Sequence, residues 1–216
     1  MKTVEEVWKE YVEGQSDFPR DDFLNQLAFI LKNHPEVMGE MVEAFLDKKS
    51  SYTYQSRFGS TIEVVFLPEE VHICRIERTV TLSKRAFVHF LDGVDKVYSD
   101  LLPLGTVVEL DKSQLPQDLV EALLGQESLY VMLMGRKVIF EGAYVDYIAQ
   151  LWPLGLQATL PELAIHKTMI KRVVALGYGE SEKERLYVSQ LREVLMQTEI
   201  PSHYYLRLKA GLADED

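Results

Sequence analysis

The hydrophobic positions in residues 1–50 recur at the spacing of amphipathic helices. The first run places apolar residues at i, i+3, i+4, i+7 and i+8, namely Val4, Val7, Trp8, Tyr11 and Val12. The same period returns from about Pro19 to Asn33 and again from Glu36 to Asp47, and His34-Pro35 separates these two runs. The N-terminal region therefore predicts three helices that pack as a helical layer.

Beyond this layer the apolar positions alternate with polar ones, and a period of two predicts β-strands. A three-stranded antiparallel meander is expected from about Ser51 to Val80, with turns at Phe58-Gly59-Ser60 and at Pro68-Glu69-Glu70. Ser83 then predicts the N-cap of a helix that runs to Leu101.

The last part of the pattern is a second β unit, which Pro and Gly divide into short strands. Strands are predicted near residues 106–110, 129–134, 137–140, 143–150 and 169–176. Gly135-Arg136 and Glu141-Gly142 are expected to form hairpin turns, and residues 116–124 a short helix. Ser181 and Glu184 predict a capping box at the start of a final helix.

The whole pattern predicts an α+β protein in two parts. Residues 1–100 are expected to form the N-terminal helices and an antiparallel β meander. Residues 101–216 are expected to form a second sheet that helices cover, with a C-terminal helix.

Composition and charge narrow the classes of function. The formal net charge of -11 argues against nucleic acid, because a phosphate backbone is bound by clustered Lys and Arg. The single cysteine, Cys74, excludes an internal disulfide and a thiolate zinc cluster, as is typical of a reducing compartment. The N-terminal residues lack the apolar run of a secretory signal, and no later run is long enough to span a membrane. We therefore expect a cytoplasmic protein that binds neither nucleic acid nor membrane.

Candidate catalytic residues are few. The five histidines show no metal-binding spacing, so we expect no metal site and no cofactor. His72 and Cys74 share one face of a predicted strand, where they could in principle form a reactive pair. Neither a Gly-rich elbow nor a helix start accompanies them, and a lone Cys among Val and Ile is typical of a strand side chain. The sequence thus predicts that the protein is not an enzyme.

The aromatic residues favour protein binding over catalysis. Two groups lie on predicted strands, Tyr52 with Tyr54 and Tyr144 with Tyr147 and Trp152. Tyr and Trp are enriched at protein interfaces because they bury a large area at little rotamer cost. These five residues are therefore the predicted partner-binding residues, and any one of them can instead be half-buried core.

Several segments of the second β unit occur in an order that resembles a known family. They are Leu-Pro-Leu-Gly-Thr-Val-Val-Glu-Leu at 102–110, the strand 131–136 ending in Met-Gly-Arg, Tyr-Val-Asp-Tyr at 144–147, Trp-Pro-Leu-Gly at 152–155 and Val-Val-Ala-Leu-Gly-Tyr at 173–178. The region from Ser83 to Gln197 resembles the domain of unknown function encoded beside LXG-type toxins in type VII secretion clusters of Gram-positive bacteria, described as LXG-associated β-clasp proteins. The chain departs from that pattern in the long insertion 111–128 and in its N-terminal 80 residues.

The resemblance implies a β-clasp-like sheet in residues 101–216 and a small, non-catalytic cytoplasmic partner of an LXG toxin. Such a partner would bind or shield the helical export region of the toxin and help to deliver it to the secretion apparatus, alone or together with a small helical protein. No catalytic residue and no cofactor come with the resemblance. Two alternatives stay open, a self-associating structural protein whose aromatic strands form a homodimer interface, and an immunity protein that neutralises the toxin.

Overall fold

The computed structural model describes residues 2–56, 59–115, 128–156, 162–198 and 200–206. The helices of this part are α1 (Val4–Gly14), α2 (Asp22–Leu31), α3 (Pro35–Leu46), α4 (Lys84–Tyr98) and α5 (Glu182–Gln197). The strands are β1 (Ser51–Tyr54), β2 (Ile62–Phe66), β3 (Glu70–Arg75), β4 (Arg78–Ser83), β5 (Val107–Leu110), β6 (Leu129–Phe140), β7 (Ala143–Leu151), β8 (Leu163–Ile165) and β9 (Ile170–Ala175). The predicted α+β class is confirmed, and the helix predicted at 116–124 lies outside the described residues.

The chain divides into two compact units. The first consists mainly of Met1–Ser99 and the second mainly of Asp100–Val194. Of the short segments that follow, Leu195–Glu199 belongs to the first unit and Ile200–Tyr204 to the second. Within the described residues, no helix combines the length and the apolar character that crossing a membrane requires.

Side-chain caps fix where the helices of the first unit begin. Thr3 accepts a hydrogen bond from the Glu6 amide while the Glu6 carboxylate accepts one from the Thr3 amide, which is a complete capping box. Asp21 caps α2, so this helix begins at Asp22 and not near Pro19 as predicted. Ser83 caps α4 as its position predicts.

The first sheet has four antiparallel strands in the order β1-β2-β3-β4, so the prediction of three strands is wrong. The additional strand arises because β3 and β4 are joined by a tight turn at Ile76 and Glu77, with Arg75 opposite Arg78. Ile76 adopts a positive φ of 57° in this turn. An isoleucine is not a turn signal, and for this reason the alternating pattern gave no sign of a strand boundary.

Helix α4 packs closely against α1 at Gly93. The Tyr11 ring occupies the space where a side chain at Gly93 would begin, and its hydroxyl donates a hydrogen bond of 2.8 Å to the backbone oxygen of His89. The rings of Trp8 and Phe18 pack against Tyr11 with centroids 5.7 and 5.9 Å away. The crossing of the two helices therefore depends on a residue without a side chain.

The second sheet has five strands in the order β8-β7-β6-β5-β9, all paired antiparallel. One of its faces is the core of the second unit. Alternate residues of four strands supply this face, namely Val108, Leu110, Leu129, Val131, Leu133, Tyr147, Ala149, Leu151, Leu163 and Ile165. Directly opposed residues of antiparallel strands lie on the same face of the sheet. The residues that alternate with the core set along each strand therefore lie on the second face.

Strand β6 is continuous from Leu129 to Phe140, and the predicted hairpin turn at Gly135-Arg136 is wrong. Gly135 instead marks a register shift, because Leu133 pairs with Ala149 and Gly135 pairs with Ile148, leaving Met134 as an extra residue. The predicted turn at Glu141-Gly142 is confirmed as the link between β6 and β7, with φ angles of 49° and 82°. Positive φ at both positions is the requirement of a type I′ hairpin turn.

Replacing Gly93 with Ala is expected to destabilise the first unit. The new Cβ would lie 2.1 Å from Tyr11 Cε1, and the surrounding rings and the hydroxyl hydrogen bond restrain Tyr11. Overpacking of this kind costs about 1–3 kcal/mol, whereas Ala in a helix interior gains up to about 1 kcal/mol over Gly. Urea unfolding should show a net loss of about 1–2 kcal/mol. Gly14→Ala is the matched control, since nothing lies within 4 Å of a Cβ there, and equal effects of the two variants would contradict the packing argument.

Candidate binding surface

The second face of the five-stranded sheet carries a row of four side chains, three from strands and one from the residue after β7. Arg172 pairs with Glu109, Glu109 pairs with Tyr130, and Trp152 follows Leu151, which pairs with Val131. The Trp152 amide donates to the backbone oxygen of Tyr130 at 2.9 Å, so the row continues beyond the end of β7. We name this set, Arg172, Glu109, Tyr130 and Trp152, the aromatic row.

The aromatic row combines a buried anion, an exposed guanidinium and two rings, and the exposed Lys171 of β9 binds the same anion. Lys171 Nζ donates to Glu109 Oε1 at 2.9 Å and Arg172 Nε donates to Oε2 at 2.7 Å, while the Glu109 side chain is only 6% exposed. These two hydrogen bonds, from Lys171 first and from Arg172 second, hold the pKa of Glu109 below its ordinary value. In return, Glu109 raises the pKa of Arg172, and Tyr130 adds a smaller contribution. The carboxylate thus orients the guanidinium beside the rings.

Trp152 is the exposed ring of the row. Its ring contacts that of Tyr130 edge to face, with centroids 6.3 Å apart, and half of the residue (50%) is open to solvent. The neighbouring row on the same face contains Val107, Met132 and Gln150, of which Val107 and Met132 are partly exposed. This half of the face is therefore an open surface that offers rings, apolar side chains and a guanidinium to a partner.

The other half of the second face is closed by the chain itself. The Tyr144 amide donates to the backbone oxygen of Pro201 at 3.0 Å, which places the segment 200–204 along β7. Tyr204 from this segment stacks on His166, with ring centroids 4.0 Å apart and planes within 3° of parallel. The 200–204 segment therefore lies beside β7 at this end of the second face.

A buried charge cluster lies under this segment. Asp146 Oδ1 accepts a hydrogen bond of 2.6 Å from Lys137 Nζ, and Oδ2 accepts one of 2.9 Å from the Lys167 amide. The Nε2 atom of His166 lies 3.0 Å from the same Oδ2. The Lys137 and Asp146 side chains are both almost fully buried, and protein donors surround the carboxylate. This arrangement anchors β6, β7 and the 166–168 turn to one another.

The three predicted partner-binding residues of the second unit lie in different environments. Tyr147 belongs to the core face, where its hydroxyl accepts a hydrogen bond of 3.1 Å from the Leu102 amide. Tyr144 is fully buried in the closed half, with Lys137 Nζ 4.4 Å from its ring centroid. Side chains this deep offer no surface to a partner, so among these three residues the binding prediction rests on Trp152.

Tyr52 and Tyr54 lie on β1 at the edge of the first sheet and are both half-buried. The Tyr52 hydroxyl donates to Glu40 at 2.6 Å, and burial together with this contact raises its pKa. The Tyr54 hydroxyl lies 3.4 Å from the His34 ring nitrogen. Both residues thus have polar contacts within the first unit.

The residue pair His72 and Cys74 shows ordinary strand contacts. His72 Nε2 lies 2.7 Å from the Glu70 carboxylate, and the Cys74 sulfur accepts a hydrogen bond from the Thr79 hydroxyl at 3.3 Å. The two side chains share a face on β3 as predicted, and neither contact activates the thiol.

Sequence reasoning missed Tyr130, Glu109 and Arg172. Glu109 and Arg172 are 63 positions apart in the chain, so their pairing depends on the placement of β9 beside β5. Tyr130 had one usable signal, because it alternates with apolar residues of β6 and must lie on the face opposite to Leu129 and Val131. The alternation could have identified the ring, although not its neighbours.

The comparison with protein families supports a relationship in the second unit. Residues 101–186 match the model of the family described as "Domain of unknown function (DUF4176)". This range contains β5 to β9, and hence the aromatic row, and it ends in the first turns of α5. No curated protein and no solved structure matches the chain.

Replacing Glu109 with Gln is expected to lower the stability of the second unit at about pH 7, and the loss should shrink as the pH falls below about 4. A carboxyl whose pKa is lowered on folding stabilises the folded state at a pH above its unfolded pKa, and this contribution is lost as the pH falls through the folded pKa. Urea unfolding of both proteins across this range is the measurement. Glu63→Gln, an exposed carboxylate on β2, is the control, and a pH-independent difference for Glu109→Gln would contradict the ion-pair argument.

Proposed function

We propose that this protein is a non-catalytic, cytoplasmic targeting chaperone that binds an LXG-type toxin of a type VII secretion system. The observation that carries the proposal is the open half of the second sheet, where the aromatic row ends in the exposed ring of Trp152. The identity of the partner comes from the resemblance of residues 83–197 to proteins encoded beside LXG toxins.

The side chains of the open half are those that protein interfaces favour. Trp, Tyr, Arg and Met are enriched at such interfaces, and Trp, Tyr and Arg supply most of the residues whose truncation costs more than about 2 kcal/mol. Trp152, Tyr130, Arg172 and Met132 bring one of each type to a single face. A catalytic surface would instead bring nucleophiles, acids and bases together, and in the aromatic row Lys171 and Arg172 already bind both oxygens of Glu109.

The open half is also prepared for binding before a partner arrives. Its side chains project from hydrogen-bonded strands, and the bond to Glu109 restrains the Arg172 guanidinium. Ordering a long side chain at an interface costs about 0.5–1.5 kcal/mol, and this cost falls when the side chain is already held. The ion pair therefore favours binding even though its own contribution to stability is small.

Retention of an LXG toxin by the tagged protein is the direct test. We expect the toxin encoded nearest to this gene to co-purify with the wild-type chain at a stoichiometric ratio after co-expression. Trp152→Ala should weaken the affinity at least about tenfold, because an exposed ring that becomes buried at an interface is a typical hot spot. Phe29→Ala is the matched control, since Phe29 is an exposed ring on α2 of the first unit, and it should retain the toxin.

Three results would contradict the proposal or replace it. A toxin that is not retained by the wild-type chain excludes the chaperone function. A concentration-dependent mass near twice 24.9 kDa, lost in Trp152→Ala, would favour a homodimer interface on the same face. Protection from the toxin's activity without any effect on its export would favour an immunity protein.

A further inference from the structure

Strand β9 is an edge of the five-stranded sheet. Among the described residues it pairs with β5 alone, and β5 lies on one side of it. In a paired strand the amide and carbonyl groups point alternately to the two sides, so those on the outer side of β9 are not part of the ladder. Residues 171–175 are all exposed, so the outer side is open along most of the strand.

The side chains of β9 change in character along the strand. At the start, the Lys171 and Arg172 side chains are 58% and 57% exposed, while the carboxylate that they bind is buried beneath them. Val173 and Val174 follow with more than 40% of each residue exposed, and Leu176 continues the apolar run beyond the strand. An incoming segment would therefore meet cations first and apolar side chains afterwards.

We propose that β9 accepts an extended segment of a partner protein as a sixth strand, with acidic residues opposite Lys171 and Arg172 and apolar residues opposite Val173 and Val174. Strand addition of this kind takes its affinity from main-chain hydrogen bonds and its specificity from the side chains along the edge. The inference rests on the proposed function in one respect, namely that the occupant belongs to a partner protein, and it holds for any partner with such a segment.

The charge of β9 favours an acidic segment over a second copy of this chain as the added strand. A second copy of β9 offers only Lys171 and Arg172 as charged residues, so its pairing edge to edge would add two cations to the seam and no carboxylate to meet those already there. An acidic segment reverses the sign of these contacts. The overall charge of -11 strengthens the argument, because long-range repulsion also opposes a second copy.

The irregular pairing of β9 with β5 restricts which strands can add. Register shifts occur between Val107 and Val108 and between Glu109 and Leu110. Bulges and lysines are the features by which natural edge strands avoid unspecific pairing. An edge with both features disfavours pairing with most strands. A strand whose charge complements that of β9 is therefore favoured over the others.

The opposite edge of the sheet is a poorer acceptor. Strand β8 has three residues, and two of them, Leu163 and Ile165, are buried in the core. Three residues provide too few outward amide and carbonyl groups for a stable added strand. The sheet therefore offers β9 as its acceptor edge within the described residues.

A peptide titration of the isotope-labelled chain tests the inference without the toxin. The probe is a capped octapeptide with two glutamates at one end followed by alternating valine and threonine. We expect amide NMR shifts concentrated in residues 170–176 and β5, and a Kd about three- to tenfold lower than for the same peptide with lysines in place of the glutamates. Methylation of alternate peptide amides should abolish binding, because it removes the main-chain donors.

A pair of variants tests the role of charge on the protein side. Lys171→Gln keeps a donor for Glu109 and removes one charge, so it should weaken the acidic peptide about two- to fivefold. Lys183→Gln removes an equal exposed charge from α5 and should leave the Kd unchanged.

Each outcome separates the inference from the proposed function. Absence of binding, shifts away from β9, or equal affinity for the acidic and lysine peptides overturns the inference, even if the wild-type chain retains an LXG toxin. Binding of the acidic peptide at β9 by a chain that retains no toxin supports the inference and removes the proposed partner.

Discussion

The arrangement of the second unit depends on one extra residue in β6. Pairing passes from Leu133 with Ala149 to Gly135 with Ile148, and this bulge reverses which alternate residues face the core. Without it, Lys137 would lie on the core face and Arg136 on the other. With it, Lys137 reaches Asp146 and Arg136 reaches Glu184 on α5. A Cβ at Gly135 would lie 2.9 Å from Val138 Cγ2, so the absence of a side chain suits the close approach at this point.

The bulge also explains why the second face has two halves of different character. Beyond it, the charge of Lys137 is buried against Asp146, and a buried ion pair is tolerated only when further hydrogen bonds satisfy both partners. The Lys167 amide supplies one such bond, and Tyr204 of the 200–204 segment stacks on the neighbouring His166 ring. Before the bulge, the face carries a pair in which Glu109 alone is buried and its cations stay in water. That half needs no cover, and it is therefore the half that a partner can reach.

The sequence predicted the local features of the fold better than the positions of the functional residues. Ser83 and Glu141-Gly142 were correctly interpreted because a cap and a type I′ turn depend on the chemistry of a few adjacent residues. Gly135-Arg136 was misinterpreted because a glycine between two alternating runs is compatible with either a turn or a bulge. Tyr147 and Trp152 both read as aromatic residues at strand positions. Only the pairing of β7 with β6 and β8 shows that Tyr147 faces the core, and that pairing is a long-range property.

The net charge of the protein does not show where its exposed cations lie. In a chain of net charge -11, a partner with acidic residues is repelled at long range by most of the surface. Screening limits this repulsion to roughly 8 Å at physiological ionic strength, so an acidic segment that reaches contact responds mainly to the nearest charges. Those charges are Lys171 and Arg172, fixed in position by a carboxylate that is itself shielded from the partner. Burial of Glu109 thus leaves a small surface whose exposed charges are opposite in sign to the net charge of the protein.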